Sequence, residues 1–245
     1  MRCLIYVFVR IKKSNGLRKW WITAIIKEME LVKRVNHLKI EEIKNRIHGR
    51  EPGIMGSDRL TRYAVLLPII EKNEELHILF EVRSLELRRQ PGEICFPGGK
   101  VDPKDIDERH TAIRETCEEL GISEKDIADV TPLDYMVNPF GTIIYPFVGY
   151  LHDSSQIIPN PDEVAEVFTV PLTYLQNTGL DIYQIDYKLE PEGKFPFHHI
   201  IGGEKYKWQA RSMEEHFYYY EDKVIWGLTA RILTHFLHLI ETPSK

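Results

Sequence analysis

The sequence predicts an α/β fold with a mixed sheet. Apolar segments of strand length occur together with segments of helical periodicity, and the chain contains neither an internal repeat nor a low-complexity tract. Neighbouring strand segments joined by short polar turns indicate hairpins, which require antiparallel pairing. Because helices alternate with these strands, we expect a mixed sheet and not a purely parallel one.

Composition and length set the first limits on function. The 245 residues suit one domain, with or without appendages, and 43% hydrophobic with 28% charged residues is an ordinary globular composition. The formal net charge of -5 gives no basic field that would favour nucleic acid. Cys3, Cys95 and Cys117 are widely spaced, which argues against a disulfide framework or a structural zinc site. A cytoplasmic location is expected, and residues 242–245 do not form the Ser-Lys-Leu peroxisomal address.

Residues 1–28 differ from the rest of the chain. Two apolar patches, Cys3–Val9 and Trp20–Ile26, flank a basic stretch. Neither approaches the roughly 20 residues of a membrane-spanning helix, and the order does not suit a secretory signal. The segment is an extra strand and helix, a membrane-surface segment, or an upstream extension that is not native. We favour the last interpretation, and expect residues 1–28 to pack poorly and residues 29–245 to form one domain.

The first predicted elements precede a glycine-rich loop. Lys39–His48 is predicted to be a short helix, because its isoleucines recur with helical spacing. Ala64–Ile70 is a continuous apolar run of strand length, and Pro68 within it suggests an edge strand or a strand end. Leu76–Val82 forms a second strand, and the polar turn at 72–74 makes the two strands a hairpin.

A helix is predicted from Asp105 to Leu120. Glu115, Glu118 and Glu119 then share one face, where their like charges repel each other. A divalent cation would convert this repulsion into a binding site, since hard cations prefer carboxylate oxygens. The alternative is a solvated acidic face. An inward face is formed by Ala112, Ile113, Thr116, Cys117 and Leu120, and places the carboxylates on the opposite side.

Further strands and a closing helix are predicted after this segment. The strands are Val130–Val137, Thr142–Leu151, Val164–Leu172, Phe195–Ile201 and His216–Tyr220, and the helix is Val224–Ile240. His198 and His199 then lie on a strand, with no spacing that suits metal ligands. We interpret these two histidines as packing residues.

The loop before the acidic helix adds a second chemical feature. Gly98 and Gly99 allow the backbone to approach a ligand closely, and Arg83 and Arg88 lie upstream, although either arginine alone could be an ordinary surface residue. Carboxylates that hold Mg²⁺ or Mn²⁺ can bind a pyrophosphate and generate a hydroxide-like nucleophile. The combination suits hydrolysis of a phosphoanhydride.

Gly99–Ile122 resembles the Nudix box, whose pattern is G-x5-E-x7-R-E-U-x-E-E-x-G-U with U an aliphatic residue. The matching residues are Arg114, Glu115, Glu118, Glu119, Gly121 and Ile122. Two departures are visible. Asp105 replaces the first Glu with one additional residue before Arg114, and Thr116 replaces an aliphatic residue. The hydroxyl of Thr116 needs a partner, which the carbonyl four residues earlier can supply.

The segment from Leu79 to Gly99 is similar to L-L-T-x-R-S-x3-R-x3-G-x3-F-P-G-G, the signature of the coenzyme A pyrophosphatase branch of Nudix hydrolases. Phe80 and Glu81 replace the second Leu and the Thr of that pattern. The resemblance implies a Nudix α/β/α sandwich and a metal-dependent pyrophosphohydrolase. Its substrate would be coenzyme A or acyl-CoA, cleaved to 3′,5′-ADP and 4′-phosphopantetheine or its acyl form.

The resemblance also implies a role for individual residues. Mg²⁺ or Mn²⁺ would be held by the Gly99 carbonyl, Glu115, Glu118 and Glu119. Glu115 is a ligand or the base that positions water, and Arg114 orients the carboxylates. Arg83, Arg88 and Gly98 would contact the substrate. Glu163 is a candidate ligand or base from a later loop, or else a simple turn carboxylate.

Alternative functions remain open. The chain could hydrolyse another nucleoside-diphosphate-linked compound such as ADP-ribose or NADH. A non-catalytic ligand sensor is disfavoured, because Glu115, Glu118 and Glu119 are present and no DNA-binding appendage is evident. The expected partner is a small nucleotide-type substrate, without nucleic acid or a membrane span, and a homodimer is conceivable.

Overall fold

The structure is a computed structural model, which describes residues 39–152, 157–209 and 211–241. The predictions for residues 1–28 lie outside these residues and stay predictions. The chain divides into two compact units, Met1–Ile54 and Met55–Lys245. The first unit contains helix α1 (Ile40–Ile47), which confirms the helix predicted there; none of its residues is buried.

Among the described residues, the second unit contains the strands and three further α-helices. The strands are β1 (Thr61–Lys72), β2 (Glu75–Arg83), β3 (Ile94–Cys95), β4 (Gly98–Lys100), β5 (Ile127–Pro132), β6 (Met136–Asn138), β7 (Thr142–Leu151), β8 (Val164–Pro171), β9 (Asp181–Tyr187), β10 (Arg211–Tyr220) and β11 (Lys223–Trp226). The helices are α2 (Glu108–Leu120), α3 (Leu172–Asn177) and α4 (Gly227–Glu241).

The main sheet is mixed, as the sequence predicted. Its strand order is β3-β2-β1-β7-β5, with β4 paired to β1, β6 to β7 and β8 to β2. Strands β1 and β7 are parallel over the register from Thr61–Thr142 to Ile70–Leu151. The other pairs are antiparallel, including the predicted β1–β2 hairpin. A smaller antiparallel sheet has the order β11-β10-β9.

The two faces of the main sheet carry different helices. On one face, Leu66 of β1 packs in a cluster with Ala112 of α2. On the other face, Leu67 belongs to a larger cluster with Leu233 and Phe236 of α4. Successive side chains of a strand point to opposite faces, so β1 contributes to both clusters. This arrangement is the α/β/α sandwich that the resemblance implied.

The prediction that Pro68 marks an edge strand or a strand end is wrong, because β1 lies in the centre of the sheet. The Leu66 amide donates to the Pro97 carbonyl at 2.9 Å, and the backbone nitrogen two residues later points to the same side. Pairing with β4 ends at Val65 and pairing with β2 begins at Ile69. The missing N–H of Pro68 therefore falls in the gap between two partners.

Two predicted elements have different boundaries in the structure. Val130–Val137 is not one strand, because β5 ends at Pro132 and β6 begins at Met136. The closing helix begins at Gly227 and not at Val224, since the segment before Gly227 is strand β11. Gly227 has a φ of 63°, a left-handed conformation that glycine adopts readily and that allows the chain to change direction.

The predicted strand Phe195–Ile201 is also wrong. The segment contains a 3₁₀ helix at Phe197–His199, so His198 and His199 do not lie on a strand. Pro196 precedes this turn and cannot donate a ladder hydrogen bond. The partner of β10 is instead β9, which the sequence analysis did not identify and whose residues are almost all exposed.

Candidate active site

Helix α2 begins later than the sequence predicted. Its first residue is Glu108 and its N-cap is Asp107, whose carboxylate accepts a 2.7 Å hydrogen bond from the His110 amide. Asp105 therefore lies before the helix and not in its first turn. The predicted end is confirmed, because Gly121 caps the helix with a φ of 64°.

Asp105 forms a buried ion pair with Arg114. Its side chain is 1% exposed and accepts two hydrogen bonds of 3.0 Å from the guanidinium. The Thr111 hydroxyl donates a further bond at 2.7 Å. Arg114 above all holds the pKa of Asp105 far below its ordinary value. Asp105, which stands where the box pattern has Glu, thus holds the Arg114 guanidinium in place from a position before the helix.

Asp105→Asn should lower the free energy of unfolding by about 2–3 kcal/mol at neutral pH, because it leaves the buried side of Arg114 without its charged partner. The folded-state pKa of Asp105 is depressed, so this stabilisation is present above the ordinary pKa of about 3.9 and is lost as the pH falls below it. Thermal unfolding of both proteins at pH 7 and pH 3 measures the difference. An equal difference at both pH values would contradict the ion-pair explanation.

Arg114 connects Asp105 to two carboxylates of the helix. Its guanidinium lies 2.8 Å from Glu115 and 3.1 Å from Glu118, one turn further along. These contacts match the orienting role that the resemblance implied for Arg114. Thr116 donates its hydroxyl to the Ala112 carbonyl at 2.6 Å, which confirms the predicted partner four residues earlier.

Glu119 lies on the inward face of α2, which corrects the prediction that all the carboxylates lie on the opposite side. The residue is 4% exposed, and its carboxylate accepts a 2.7 Å hydrogen bond from the Gly98 amide. Glu118 is exposed, so the two adjacent glutamates face different surroundings. The glycine loop and the acidic helix therefore meet at Glu119.

Glu81 is a candidate site residue that the sequence analysis missed. It lies on β2, is 1% exposed, and accepts a 3.1 Å hydrogen bond from the Cys95 thiol. Its second carboxylate oxygen, Oε2, is buried and has no hydrogen-bond partner. The signal was present in the sequence, because Glu81 is a carboxylate within an apolar strand and replaces the Thr of the branch signature.

The pKa values of the buried glutamates show that their charges interact. Burial raises the pKa of Glu119 above its ordinary value, and the charge of Glu81 is the next cause. Burial likewise raises the pKa of Glu81, where the Cys95 hydrogen bond and the charge of Arg83 act in the opposite direction. The pKa of Glu115 is raised by burial, against the effect of Arg114. Folding thus brings these carboxyl groups together where water is largely excluded, which disfavours their ionised forms.

Gly98 and Gly99 allow close packing of the loop against Glu115 and strand β1, because neither residue carries a side chain. A Cβ on Gly99 would lie 2.3 Å from Cδ of Glu115, and a Cβ on Gly98 would lie 2.3 Å from the Ala64 carbonyl oxygen. Gly98 also has a φ of 151°, which side-chain-bearing residues rarely adopt. The first clash involves a flexible side chain, whereas the second involves backbone.

If Glu115 has the role that the resemblance implies, Gly99→Ala should reduce turnover by about 100-fold with little loss of stability, because the new methyl group displaces the Glu115 carboxylate, and small misplacements of a catalytic group have effects of this size. Gly98→Ala is the matched comparison, and should destabilise the fold because it collides with β1. Steady-state kinetics and thermal unfolding separate the two effects. Full turnover by Gly99→Ala would show that the position of Glu115 does not limit the reaction.

A loop before β8 brings Glu163 close to the helix carboxylates. The Asn160 amide donates to the Glu119 carbonyl at 2.9 Å, and the Ser84 amide donates to the Glu163 carbonyl at 2.8 Å. The charge of Glu163 contributes to the raised pKa values of Glu81, Glu115 and Glu119. Glu163 therefore belongs to the same electrostatic cluster, as its candidate role requires.

The two upstream arginines lie in different environments. Arg83 ends β2 and is half-buried, with a buried Nε that has no hydrogen-bond partner. Its charge lowers the pKa of Glu81, so it lies near the carboxylate cluster. Arg88 is exposed in the loop that follows β2. The structure thus brings Arg83 close to the carboxylate cluster, whereas Arg88 lies on the surface in the following loop.

The residues present suit a divalent cation chemically, although their present arrangement is not that of a completed site. Among the described residues, no group of three or more His, Cys, Asp or Glu side chains is arranged to hold a metal ion. Glu115 and Glu118 bond to Arg114 instead. The unpartnered oxygen of Glu81 and the mutual repulsion around Glu119 are nevertheless features that a hard cation would relieve.

The family comparison agrees with this carboxylate-rich helix and glycine loop. The family model of the NUDIX domain matches residues 60–189, more than half of the chain. The chain therefore belongs to the NUDIX family of hydrolases. The match begins beside β1 and includes the whole candidate site, from Glu81 to Glu163.

Three relatives show the range of similarity within the family. The mouse protein named peroxisomal coenzyme A diphosphatase NUDT7 is 40% identical over 55% of this chain and 58% of its own length. The human mitochondrial coenzyme A diphosphatase NUDT8 is 40% identical over 47% of this chain and 50% of its own length. An uncharacterized Nudix hydrolase, NudL of Photorhabdus laumondii, is 34% identical over 72% of this chain and 83% of its own length. The chain thus spans between half and three fifths of the two named diphosphatases.

The described part of the chain contains no helix long and apolar enough to cross a membrane.

Proposed function

We propose that the protein hydrolyses the phosphoanhydride of coenzyme A or acyl-CoA, giving 3′,5′-ADP and 4′-phosphopantetheine or its acyl form. The observation that carries the reaction type is the cluster of half-buried Glu115 and buried Glu119 beside the Gly98–Gly99 loop. The substrate is supported by the arginine-bearing signature before the box and by the names of the mouse and human relatives.

The proposed cation site uses Glu118, Glu119, Glu115 and the Gly99 carbonyl. Bound Mg²⁺ or Mn²⁺ supplies Lewis acidity and a water of lowered pKa. The Gly98 amide holds the Glu119 carboxylate at the loop through its 2.7 Å hydrogen bond. Arg114 positions Glu115 and Glu118, and Asp105 fixes Arg114 in turn.

Proton transfer in the proposed reaction is assigned to Glu115 or Glu163. The two carboxylates interact electrostatically, and burial raises the pKa of Glu115, which makes its carboxylate a stronger base. Arg83 is positioned to neutralise phosphate charge near the cluster, and Arg88 is proposed to contact the substrate from the exposed loop. The Gly98 backbone completes the proposed substrate contacts.

The test is an assay of the purified full chain with coenzyme A, acetyl-CoA, ADP-ribose and NADH, each with Mg²⁺ and with Mn²⁺. We expect 3′,5′-ADP from both coenzyme A substrates and no turnover after the cation is removed with EDTA. Brisk cleavage of ADP-ribose without cleavage of coenzyme A would support the alternative substrate class. Binding of these compounds without any turnover would support the sensor alternative.

Hydrolysis of another nucleoside-diphosphate-linked compound is the second candidate. It is favoured because the carboxylate cluster and the glycine loop suit a cation-bound pyrophosphate, which all these substrates share. Chemistry at the cluster does not distinguish them. The discrimination would come from contacts to the rest of the substrate, where Arg83 and Arg88 are the candidates.

Other properties remain proposals. A cytoplasmic location rests on the cysteine pattern, while the mouse relative is named peroxisomal and the human one mitochondrial. Residues 29–245 are proposed to form the enzyme domain, with residues 1–28 as a poorly packed extension. A homodimer without nucleic-acid partners is likewise a proposal, which analytical ultracentrifugation would test.

A further inference from the structure

We propose that Glu81 is an additional ligand for the divalent cation, extending the site from helix α2 onto strand β2. This inference rests on the cation requirement of the proposed function. It does not depend on which nucleotide-type compound is the substrate. Glu81 lies outside the box residues to which the resemblance assigns cation binding.

The alternation of β2 places Glu81 on the same face of the sheet as α2. Leu79 packs in a cluster with Leu120, the last residue of α2. Glu81 follows two residues later and therefore points to the same face. Its antiparallel neighbour Val167 packs against that same cluster. Glu81 thus lies beneath the C-terminal turn of α2, where Glu119 precedes Leu120.

Glu81 has one satisfied and one unsatisfied carboxylate oxygen. The Cys95 thiol donates to Oε1 at 3.1 Å, whereas Oε2 is buried without a partner. Buried polar atoms are almost always hydrogen-bonded, and an unpaired buried carboxylate oxygen is costly. A cation that Glu81 shares with Glu119 would satisfy this oxygen and remove the repulsion between the two carboxylates.

A purely structural role explains less of the arrangement. If Glu81 served only to accept the Cys95 hydrogen bond, one oxygen would suffice and a neutral side chain would do so with lower desolvation cost. A buried charge beside Glu119 would then destabilise the fold without compensation.

The experiment measures Mn²⁺ binding to the full chain by electron paramagnetic resonance and calorimetry, without substrate. Glu81→Gln keeps the size of the side chain, and Glu81→Thr installs the residue of the branch signature. Glu71→Gln, at an exposed position near the end of β1, is a control with the same change in charge. We expect both Glu81 variants to raise the Kd for Mn²⁺ by at least about tenfold, since loss of groups that merely support metal ligands already costs about 10–100-fold.

Thermal unfolding provides a readout that a structural role would not reproduce. We expect Glu81→Gln to be as stable as the wild type, or more so, without a cation, and to show a smaller rise in Tm when Mn²⁺ is added. A structural glutamate would give the opposite pattern, with lower metal-free stability and an unchanged rise. Glu81→Thr repeats the comparison if the amide variant fails to fold.

The possible outcomes separate the inference from the proposed function. Equal Mn²⁺ affinity in the wild type and both Glu81 variants overturns the inference and leaves the enzymatic proposal intact. Absence of Mn²⁺ binding by the wild type overturns both. Glu81-dependent binding without cleavage of coenzyme A supports the inference and overturns only the proposed substrate.

Discussion

Glu119→Gln should reduce the turnover number by about 10³-fold, while the protein remains folded and becomes no less stable. A cation that stabilises transition-state charge contributes several kcal/mol, and each factor of ten in rate corresponds to about 1.4 kcal/mol. The amide oxygen of Gln can still accept the hydrogen bond from the Gly98 amide. Removal of the buried charge also ends the repulsion with Glu81.

The measurement combines steady-state kinetics with thermal unfolding in the absence of a cation. Glu118→Gln is the matched comparison, because Glu118 is adjacent but exposed and pairs with Arg114. We expect its effect on turnover to be smaller than that of Glu119→Gln. A large drop in Tm for Glu119→Gln would identify this carboxylate as a structural acceptor for the glycine loop and contradict the catalytic assignment.

The spacing within the acidic segment predicted much of the site. Arg114 and Glu118 are four residues apart, so a helix places them one turn apart on the same face, and the structure brings them into contact. The same reasoning predicted the partner of the Thr116 hydroxyl. Such local geometry follows from helical periodicity alone, so a single sequence is sufficient to obtain it.

Contacts between segments that are distant in the sequence could not be predicted in this way. Helical spacing groups Glu119 with the other carboxylates, but its burial depends on the Gly98 amide, which only the packing of β4 against α2 provides. The position of Glu81 beneath the helix depends on the pairing of β2 with β3 and β8. The prediction for Pro68 failed for a similar reason, since the gap beside it is created by two other strands.

The sequence analysis missed strand β9 although the signal was present. Its sequence alternates, because Gln184 and Asp186 separate Tyr183, Ile185 and Tyr187. The apolar residues of 195–201 instead suggested a strand that does not form. The hydrogen bonds of β9 to β10 determine its structure, and they depend on the register of a partner 24 or more residues away. Periodicity therefore indicates that β9 is a strand, but it does not identify the strand with which β9 pairs.

The cation-free protein should lose stability as the pH rises from about 4.3, the ordinary pKa of glutamate, through the raised pKa values of Glu81, Glu115 and Glu119. In this window the unfolded chain releases these protons before the folded protein does, so deprotonation favours unfolding. Each pKa unit of elevation costs about 1.4 kcal/mol, or about 3–5 °C in Tm for a domain of this size.

Saturating Mn²⁺ should reverse this loss, because ionised carboxylates bind the cation and protonated ones do not. Thermal unfolding between pH 5 and pH 8, with EDTA and with Mn²⁺, provides the measurement, and Glu119→Gln should show a weaker pH dependence in EDTA. Asp105 does not account for the effect, since its pKa is lowered and its contribution changes only at more acidic pH. A stability that rises with pH in EDTA would show that the buried glutamates do not repel each other in the folded protein, and the electrostatic argument for a cation site would fail.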